Sequence, residues 1–450
     1  MFKGLTKEEK SWVMFDWADS AYTMTVLTVV MAMYFAYAAE ASGSENALAF
    51  WGFASGFVTL VAGFMAPILG TLSGYHGKKK TLFNFFTFLA IAATTALAIV
   101  PYTMWWLLLI VFVISGIGFN ACNKVYDAFL ADVSENKNMD RVSSLGFGMG
   151  YIGGAIGFIL SIIALVLSME GVIDLPIVRA YQISFLVTAI WWLVFCIPMF
   201  KNVHQKIGVP PEENYVRKSF VRIRTTLEEM GLWLVVGRWI RFWDRERRSV
   251  PVFLTKEQKG ILLFLCAFFL YSDGVGSIIR MAVAFGDDIG IDQMTLLAVL
   301  LVVQFVAFPF AILYGKMAGK FGAKNVIYFG IGTYCVICMV GLLMNPNRDL
   351  EFLTILFWIL AVLVGTAQGG IQALSRSYFA RIIPKEKSNE YFGIYNIFGR
   401  FASIIGTTMF ALVSLVTGRP HWGIGVIVVL FISAAILFKY VPDDRAFNEE

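Results

Sequence analysis

Two aspartates lie three residues apart at the head of a stretch that is otherwise apolar enough to cross a membrane. They are Asp16 and Asp19, in the segment MFDWADSAYTMTV that begins at Met14. A charged side chain at the centre of a bilayer costs about 2.5–3.5 kcal/mol even on a lenient insertion scale. Two carboxylates on one helix face therefore indicate ion pairs, contact with water or a ligand, or protonation.

Three other apolar stretches carry polar residues at the spacing that puts side chains on one helix face. These three stretches hold five charged residues. Asp16, Asp19 and Arg400 raise the number of charged residues inside apolar stretches to eight. Eight unpaired charges would cost on the order of 20 kcal/mol, so they must be paired, hydrated or neutral. The three faces are Asn120, Asn123, Lys124 and Asp127; Asp273, Ser277 and Arg280; and Gln368, Gln372, Ser375 and Arg376.

The composition predicts the elements that hold these residues. Of 450 residues, 58% are hydrophobic and only 15% are charged, whereas about a quarter of a soluble domain is charged. Apolar stretches of about 20 residues, enough to cross a bilayer as a helix, recur from end to end. We predict an all-α polytopic membrane protein with twelve transmembrane helices, near 12–38, 47–73, 79–101, 104–131, 142–168, 177–200, 259–286, 293–317, 325–345, 351–380, 389–417 and 421–441.

A long polar break after the sixth stretch divides the chain into two six-helix halves, 1–200 and 259–450, joined by a linker over 201–258. Lysine and arginine are concentrated at the N-terminus and in the loops after spans two, four, eight and ten. The positive-inside rule therefore predicts that both termini are cytoplasmic, and we expect a cytoplasmic (inner) membrane protein. The linker holds twelve Lys or Arg against seven Asp or Glu, and its apolar residues from Val216 to Leu234 predict an amphipathic helix that contacts membrane lipids.

The two halves resemble each other. GTLSGYHGKKK follows span two and GKMAGKFGAKN follows span eight, which aligns Gly70 and Gly77 with Gly315 and Gly322 at an offset of 245. Asp19 aligns with Asp273 at an offset of 254. Duplicated membrane halves are typical of transporters that bind a substrate near the midplane between them. We expect these four glycines to take part in gating.

These two loops resemble the signature loop of the major facilitator superfamily, although Gly74–Tyr75 and Gly319–Lys320 stand where an acidic residue and an arginine are usual. Three longer stretches resemble the vacuolar amino-acid effluxer-like, autophagy-related branch, in which Asn usually stands at the position of Asp19. They are FDWADSAY (15–22), YSDGVGSIIRMA (271–282) and GGIQALSRSYFARIIPKEKSNEYFGIYNIFGRFASIIG (369–406). The resemblance implies a secondary transporter with the major facilitator fold that carries an amino acid or a similar metabolite, with export the expected direction.

In that superfamily, spans 1, 4, 7 and 10 line the central cavity, and the polar faces fall on those four spans. We expect Asp19 and Asp273 to contact a substrate ammonium or to carry a coupling proton, and Lys124 or Arg280 to hold a substrate carboxylate. Structural ion pairs, such as one between Lys124 and Asp127, are the alternative. The expected site is completed by Asn123, Asp127, Gln368 and Gln372, with Asp16, Arg376 and Arg400 in gating.

Other functions fit these features less well. A lipid or drug carrier of the same fold would favour an apolar cavity, and a non-transporting receptor or sensor needs no duplicated polar cores. The three histidines lie in loops or at span ends, and no phosphate-binding loop is present, so we expect no enzyme, metal or cofactor. We expect a monomer whose partners are a small-molecule substrate, membrane lipids and, as an option, H+, without nucleic acid.

Overall fold

The computed structural model describes residues 2–43, 47–210, 215–230, 232, 254–345, 348–402, 404–418 and 420–442. Helices make up nearly all of this part of the chain, and a single bridge joins Tyr75 to Val209. The first half holds α1 (Lys7–Tyr22), a π-helical segment (Thr23–Val29), α2 (Val30–Ala41), α3 (Ala47–Ser73), α4 (Lys78–Leu97), α5 (Trp105–Ala128), α6 (Leu130–Val133), a 3-10 turn (Asn136–Asn138), α7 (Met139–Met169) and α8 (Ile177–Asn202).

The linker contains α9 (Tyr215–Glu229). The second half holds α10 (Lys256–Asp288), α11 (Gln293–Phe321), α12 (Ala323–Leu342), α13 (Leu350–Ile382), a 3-10 turn (Lys385–Lys387), α14 (Ser388–Phe401), α15 (Ile404–Thr417) and α16 (Pro420–Lys439). Within the described residues, eleven helical runs are long and apolar enough to cross a membrane. The prediction of an all-α polytopic membrane protein is confirmed.

The eleventh predicted span, 389–417, is not one helix. It is divided into α14 and α15, because Ala402 takes an extended conformation with φ −57° and ψ 148°. A break at membrane depth leaves backbone groups that must find partners inside the protein. One partner is Asp273 on α10, whose two carboxylate oxygens each lie 3.0 Å from the backbone N–H of Gly406 in the first turn of α15. The prediction of a continuous helix here is wrong. No proline marks the break, and Gly399, three residues before it, does not by itself end a helix.

The two halves contact each other at one end of the bundle, which we call the linker end because α9 lies there. Arg222 of α9 pairs with the buried carboxylate of Glu390 on α14, and its guanidinium stacks 4.7 Å from the centre of the Tyr75 ring in the first half. Thr226 of α9 also donates to Glu390, at 2.6 Å. The predicted linker helix thus touches both halves, whereas Leu234 at its predicted end lies outside the described residues.

Helix crossings at the linker end depend on Gly70 and Gly315. A Cβ added at Gly70 of α3 would lie 2.6 Å from the Asn389 carbonyl oxygen of α14. A Cβ added at Gly315 of α11 would lie 2.7 Å from the Ser144 Cβ of α7. Each crossing joins one half to the other, so these two glycines allow helices of the two halves to approach closely.

The other two glycines of the repeat have a different position. Gly77 precedes α4 with φ +76°, and Gly322 lies between α11 and α12 with φ +84°. Both are in the left-handed region that favours glycine. They turn the chain between consecutive helices of one half, and the structure places no inter-half contact on Gly77. Their part in gating stays a prediction.

Candidate functional site

Arg376 of α13 reaches across from the second half into the first. Its Nη1 lies 3.2 Å from Asp127 Oδ1 on α5, and its Nη2 lies 3.4 Å from Asp16 Oδ2 on α1. Its Nε donates to Ser143 Oγ on α7 at 3.0 Å, and Ser143 Oγ donates to the Ala373 carbonyl at 2.8 Å. One guanidinium therefore joins three helices of the first half to a helix of the second.

An aromatic box surrounds the same guanidinium. Its central carbon lies 4.4 Å from the Phe147 ring centre, 4.6 Å from that of Trp12 and 5.6 Å from that of Tyr126. The Arg376 side chain is only 5% exposed. Because water is excluded, its attraction to two carboxylates and three ring faces is stronger than it would be at a surface.

A second ion pair lies beside the first, closer to the loops. Arg381 Nη1 is 2.6 Å from Asp140 Oδ1, and Ser377 donates to the same oxygen at 2.5 Å. We call Asp16, Asp127, Asp140, Arg376 and Arg381 the linker-end lock. Among the described residues, no ion pair joins the halves at the opposite end of the bundle.

A layer of polar side chains lies one helical turn deeper in the membrane than the lock. Asp19 follows Asp16 by three residues on α1, and Lys124 precedes Asp127 by three on α5. Three or four residues along a helix correspond to about 4.5–6 Å. We call this set the polar layer; its members are Asp19, Asn123, Lys124, Gln372 and Asn396.

Within the polar layer, Lys124 Nζ donates to Asn396 Oδ1 of α14 at 2.8 Å. Asp127 is held by Arg376 instead, so the alternative of a Lys124–Asp127 pair is not observed in the described part of the chain. Asn396 is absent from the sequence prediction. A signal was present, because Asn389 and Asn396 are seven residues apart and share one face of α14.

Asp19 is the acidic member of the polar layer. Its side chain is buried at 5% exposure, and no Lys or Arg of the described residues lies within 4.0 Å of its carboxylate. The Asn123 amide of α5 lies beside it. Gln372 is half-buried, and Gln368, one turn along α13, faces the Tyr151 hydroxyl of α7. The structure thus brings four predicted residues to the surface between the halves: Asp19, Asn123, Gln368 and Gln372.

Three predicted residues are placed differently. Asp273 is fully buried between α10 and α15 in the second half, where it holds the start of α15. Arg280 is exposed, with no carboxylate of the described residues within 4.0 Å. The side chain of Arg400 lies outside the described part. Transport roles for these three stay predictions. The described residues contain no cluster of three or more potential metal ligands.

Comparisons with known proteins agree with this architecture. The family described as "Vacuole effluxer Atg22 like" matches residues 44–450. The MFS-type transporter YxiO of Bacillus subtilis is 41% identical over 448 residues, which cover 99% of this chain and 97% of that protein. Autophagy-related protein 22-2 of Aspergillus clavatus is 28% identical over 63% of this chain, and the matched part spans only 44% of the fungal protein.

Solved structures match along nearly the full length. The proton:xylose symporter XylE of the major facilitator superfamily superposes with a TM-score of 0.67 at 14% identity, covering 97% of this chain and 95% of that one. A bacterial homologue of the iron transporter ferroportin, in an outward-facing state, gives 0.64 at 12% identity, covering 99% of both chains. These likenesses confirm the major facilitator fold and say nothing about substrate.

Proposed function

Because this chain belongs to the vacuole effluxer Atg22-like family of major facilitator superfamily transporters, we propose that it carries an amino acid or a similar small polar metabolite. The family supports a secondary transporter embedded in a membrane. The observation that carries the proposed substrate class is the polar layer, which presents a carboxylate and an ammonium side chain on one level between the two halves.

Charges of both signs suit a zwitterion. An amino acid presents an ammonium and a carboxylate on one carbon, and each needs a partner of opposite charge when it leaves water. Asp19 is buried without a cation within 4.0 Å among the described residues, so a substrate ammonium is its proposed partner. A coupling proton is the alternative occupant of the same carboxylate.

The linker-end lock supports alternating access. Arg376, Asp16 and Asp127 hold the halves together below the polar layer, and the Gly70 and Gly315 crossings let the backbones close there. Substrate movement toward the linker end requires these contacts to separate. We propose Asp16, Arg376 and the two glycines as gating residues on this basis.

The positive-inside rule assigns the linker end to the cytoplasm. We therefore propose that the conformation described is outward-facing, with both termini cytoplasmic and the protein monomeric in the cytoplasmic (inner) membrane. Export of the substrate is proposed from the family's description as effluxers.

One observation favours a lipid or drug carrier as a second candidate. An apolar cavity lies among helices of the second half, lined by Ile278, Met281, Phe285, Phe357 and Phe410 among others. It is separate from the polar layer and offers almost no polar surface. Its lining suits an apolar group better than a zwitterion, and its volume of about 50 Å³ would have to grow to hold a whole lipid or drug.

Counterflow in proteoliposomes distinguishes the amino-acid transporter from the lipid or drug carrier. Vesicles loaded with unlabelled compound are diluted into labelled compound, using the twenty L-amino acids, unrelated sugars and organic acids, and a fluorescent lipid. Accumulation of one amino-acid class supports the proposal. Movement of the lipid alone, with no amino-acid signal, would favour the second candidate and contradict the first.

A further inference from the structure

The contact between Lys124 and Asn396 fixes the orientation of the asparagine amide. An ammonium group can only donate hydrogen bonds, so the Asn396 atom at 2.8 Å from Lys124 Nζ must be the carbonyl Oδ1. The usual ambiguity between the oxygen and the nitrogen of an amide is therefore absent here. It follows that Nδ2, with its two N–H donors, is the amide atom that the lysine does not contact.

This Nδ2 is a buried donor without a partner. Asn396 is 6% exposed, and its Nδ2 has no hydrogen-bond acceptor among the described residues. Buried side-chain donors are nearly always hydrogen-bonded, and one left unpaired destabilises the fold. An unsatisfied donor on the surface between the two halves of a transporter is therefore a candidate for contact with the transported molecule.

We propose that Lys124 and Asn396 together form the subsite for the carboxylate of the transported molecule. This inference rests on the proposed function and adds the residue that completes the anion site. A carboxylate accepts hydrogen bonds at two oxygens, and it can take one from the Lys124 ammonium and one from Asn396 Nδ2. The lysine supplies the charge, and the amide supplies a directional donor.

The charges around the pair favour a carboxylate over a dianion such as phosphate. Asp127 lies one turn along α5 from Lys124, and Asp16 and Asp19 lie on the facing helix α1. One ammonium and one neutral amide can offset a single negative charge. The three aspartates outnumber the two cations nearby, Lys124 and Arg376, so the surroundings repel a second negative charge. Arg280, the other cation predicted for this role, is exposed.

The subsite draws on both halves of the protein. Lys124 belongs to α5 in the first half, and Asn396 belongs to α14 in the second. A carboxylate held by both groups contacts both halves above the closed lock. Separation of the halves would divide the two donors, so the subsite exists only while the linker end is closed.

Competition between acids and their primary amides tests this directly, because the amide keeps the size and loses the charge. Purified full-length protein in proteoliposomes is assayed by counterflow with labelled L-amino acids and L-lactate. Each is challenged with the unlabelled acid or its primary amide. We expect the wild type to prefer acids about tenfold to hundredfold, the effect of a charge-assisted hydrogen bond pair.

Asn396→Leu is expected to lower that preference about tenfold, and Asn396→Ser provides a smaller polar replacement if the leucine variant does not elute as a monodisperse protein. Asn396→Asp is expected to abolish carboxylate transport, because it pairs with Lys124 and repels the substrate. Asn325→Leu is the matched control, since its exposed amide on α12 donates to the Phe321 carbonyl at the end of α11, within the same half.

The outcomes separate this inference from the proposed substrate. If the wild type moves lactate but no amino acid, and Asn396 sets the preference for acids, the amino-acid proposal fails and the carboxylate subsite stands. If amino acids are transported but Asn396→Leu and Asn396→Ser keep the wild-type preference, only the subsite is overturned. Absence of any carboxylate transport overturns both.

Discussion

Replacement of Arg376 by glutamine should open the linker end. The change keeps a polar side chain of similar length but leaves Asp16 and Asp127 without their cation. Removal of one partner from a buried ion pair costs about 3–5 kcal/mol. The cost falls on the closed state, because the two carboxylates regain water when the halves separate. At 1.4 kcal/mol per factor of ten, the closed population should fall about a hundredfold to a few thousandfold relative to the open one.

Distances between spin labels measure that shift. Lys137 in the first half and Lys385 in the second are exposed at the linker end, so each can be replaced by a labelled cysteine after the native cysteines are removed. We expect a short distance in the wild type and a longer one in Arg376→Gln. Arg376→Lys, which keeps the charge but not the paired N–H donors, should lie between them.

A surface arginine provides the control for this measurement. The Arg224 side chain is 66% exposed and pairs with Glu228 four residues away on α9, a contact of a kind worth about 0.5 kcal/mol or less. Arg224→Gln should leave the distance distribution unchanged. A wild-type distribution in Arg376→Gln would refute the idea that this arginine holds the linker end closed.

Four further substitutions probe other contacts. Gly70→Ala and Gly315→Ala force a Cβ within 2.7 Å of the facing helix, so each should disfavour closure by about 1–3 kcal/mol and lengthen the same spin-label distance. Asp273→Asn replaces the charged acceptor at the start of α15 and should lower stability by about 1–2 kcal/mol in thermal unfolding. Glu390→Gln removes the partner of Arg222 and should make the linker more sensitive to trypsin in limited proteolysis.

Each of these tests has a contrary result, and the glycine substitutions also have a control. Gly52→Ala should change nothing, since no atom lies within 4 Å of the added Cβ. If Gly70→Ala behaved like Gly52→Ala, the crossing would be looser than the structure describes. An unchanged melting temperature for Asp273→Asn would mean that the carboxylate does not hold α15. Unchanged cleavage of Glu390→Gln would show that Arg222 does not fasten α9.

The sequence was most informative where local periodicity decides the outcome. The faces that carry Asp16 with Asp19 and Lys124 with Asp127 follow from helical spacing alone, and the structure brings them together with Arg376. Span lengths and the repeated glycines were predictable because bilayer thickness and close helix crossings impose them. These features need no knowledge of distant contacts.

Pairings between distant segments could not be predicted in the same way. Lys124 and Asn396 are 272 residues apart, and periodicity does not reveal which face of α14 meets α5. The alignment of Asp19 with Asp273 suggested equivalent positions, but the two carboxylates have different surroundings. Asp273 is enclosed by its own half because α15 starts beside it, a consequence of a helix break that no proline marks.

Transport by Asp19→Asn, compared with the wild type, decides whether the polar layer binds the substrate. The variant keeps the shape of the side chain and removes the charge proposed to meet the substrate ammonium. For the amino acid identified by counterflow, we predict that its KM rises about tenfold to hundredfold, the range for a lost charged hydrogen bond. A KM and a pH dependence of transport both equal to the wild type would contradict a role for the polar layer in substrate binding or coupling.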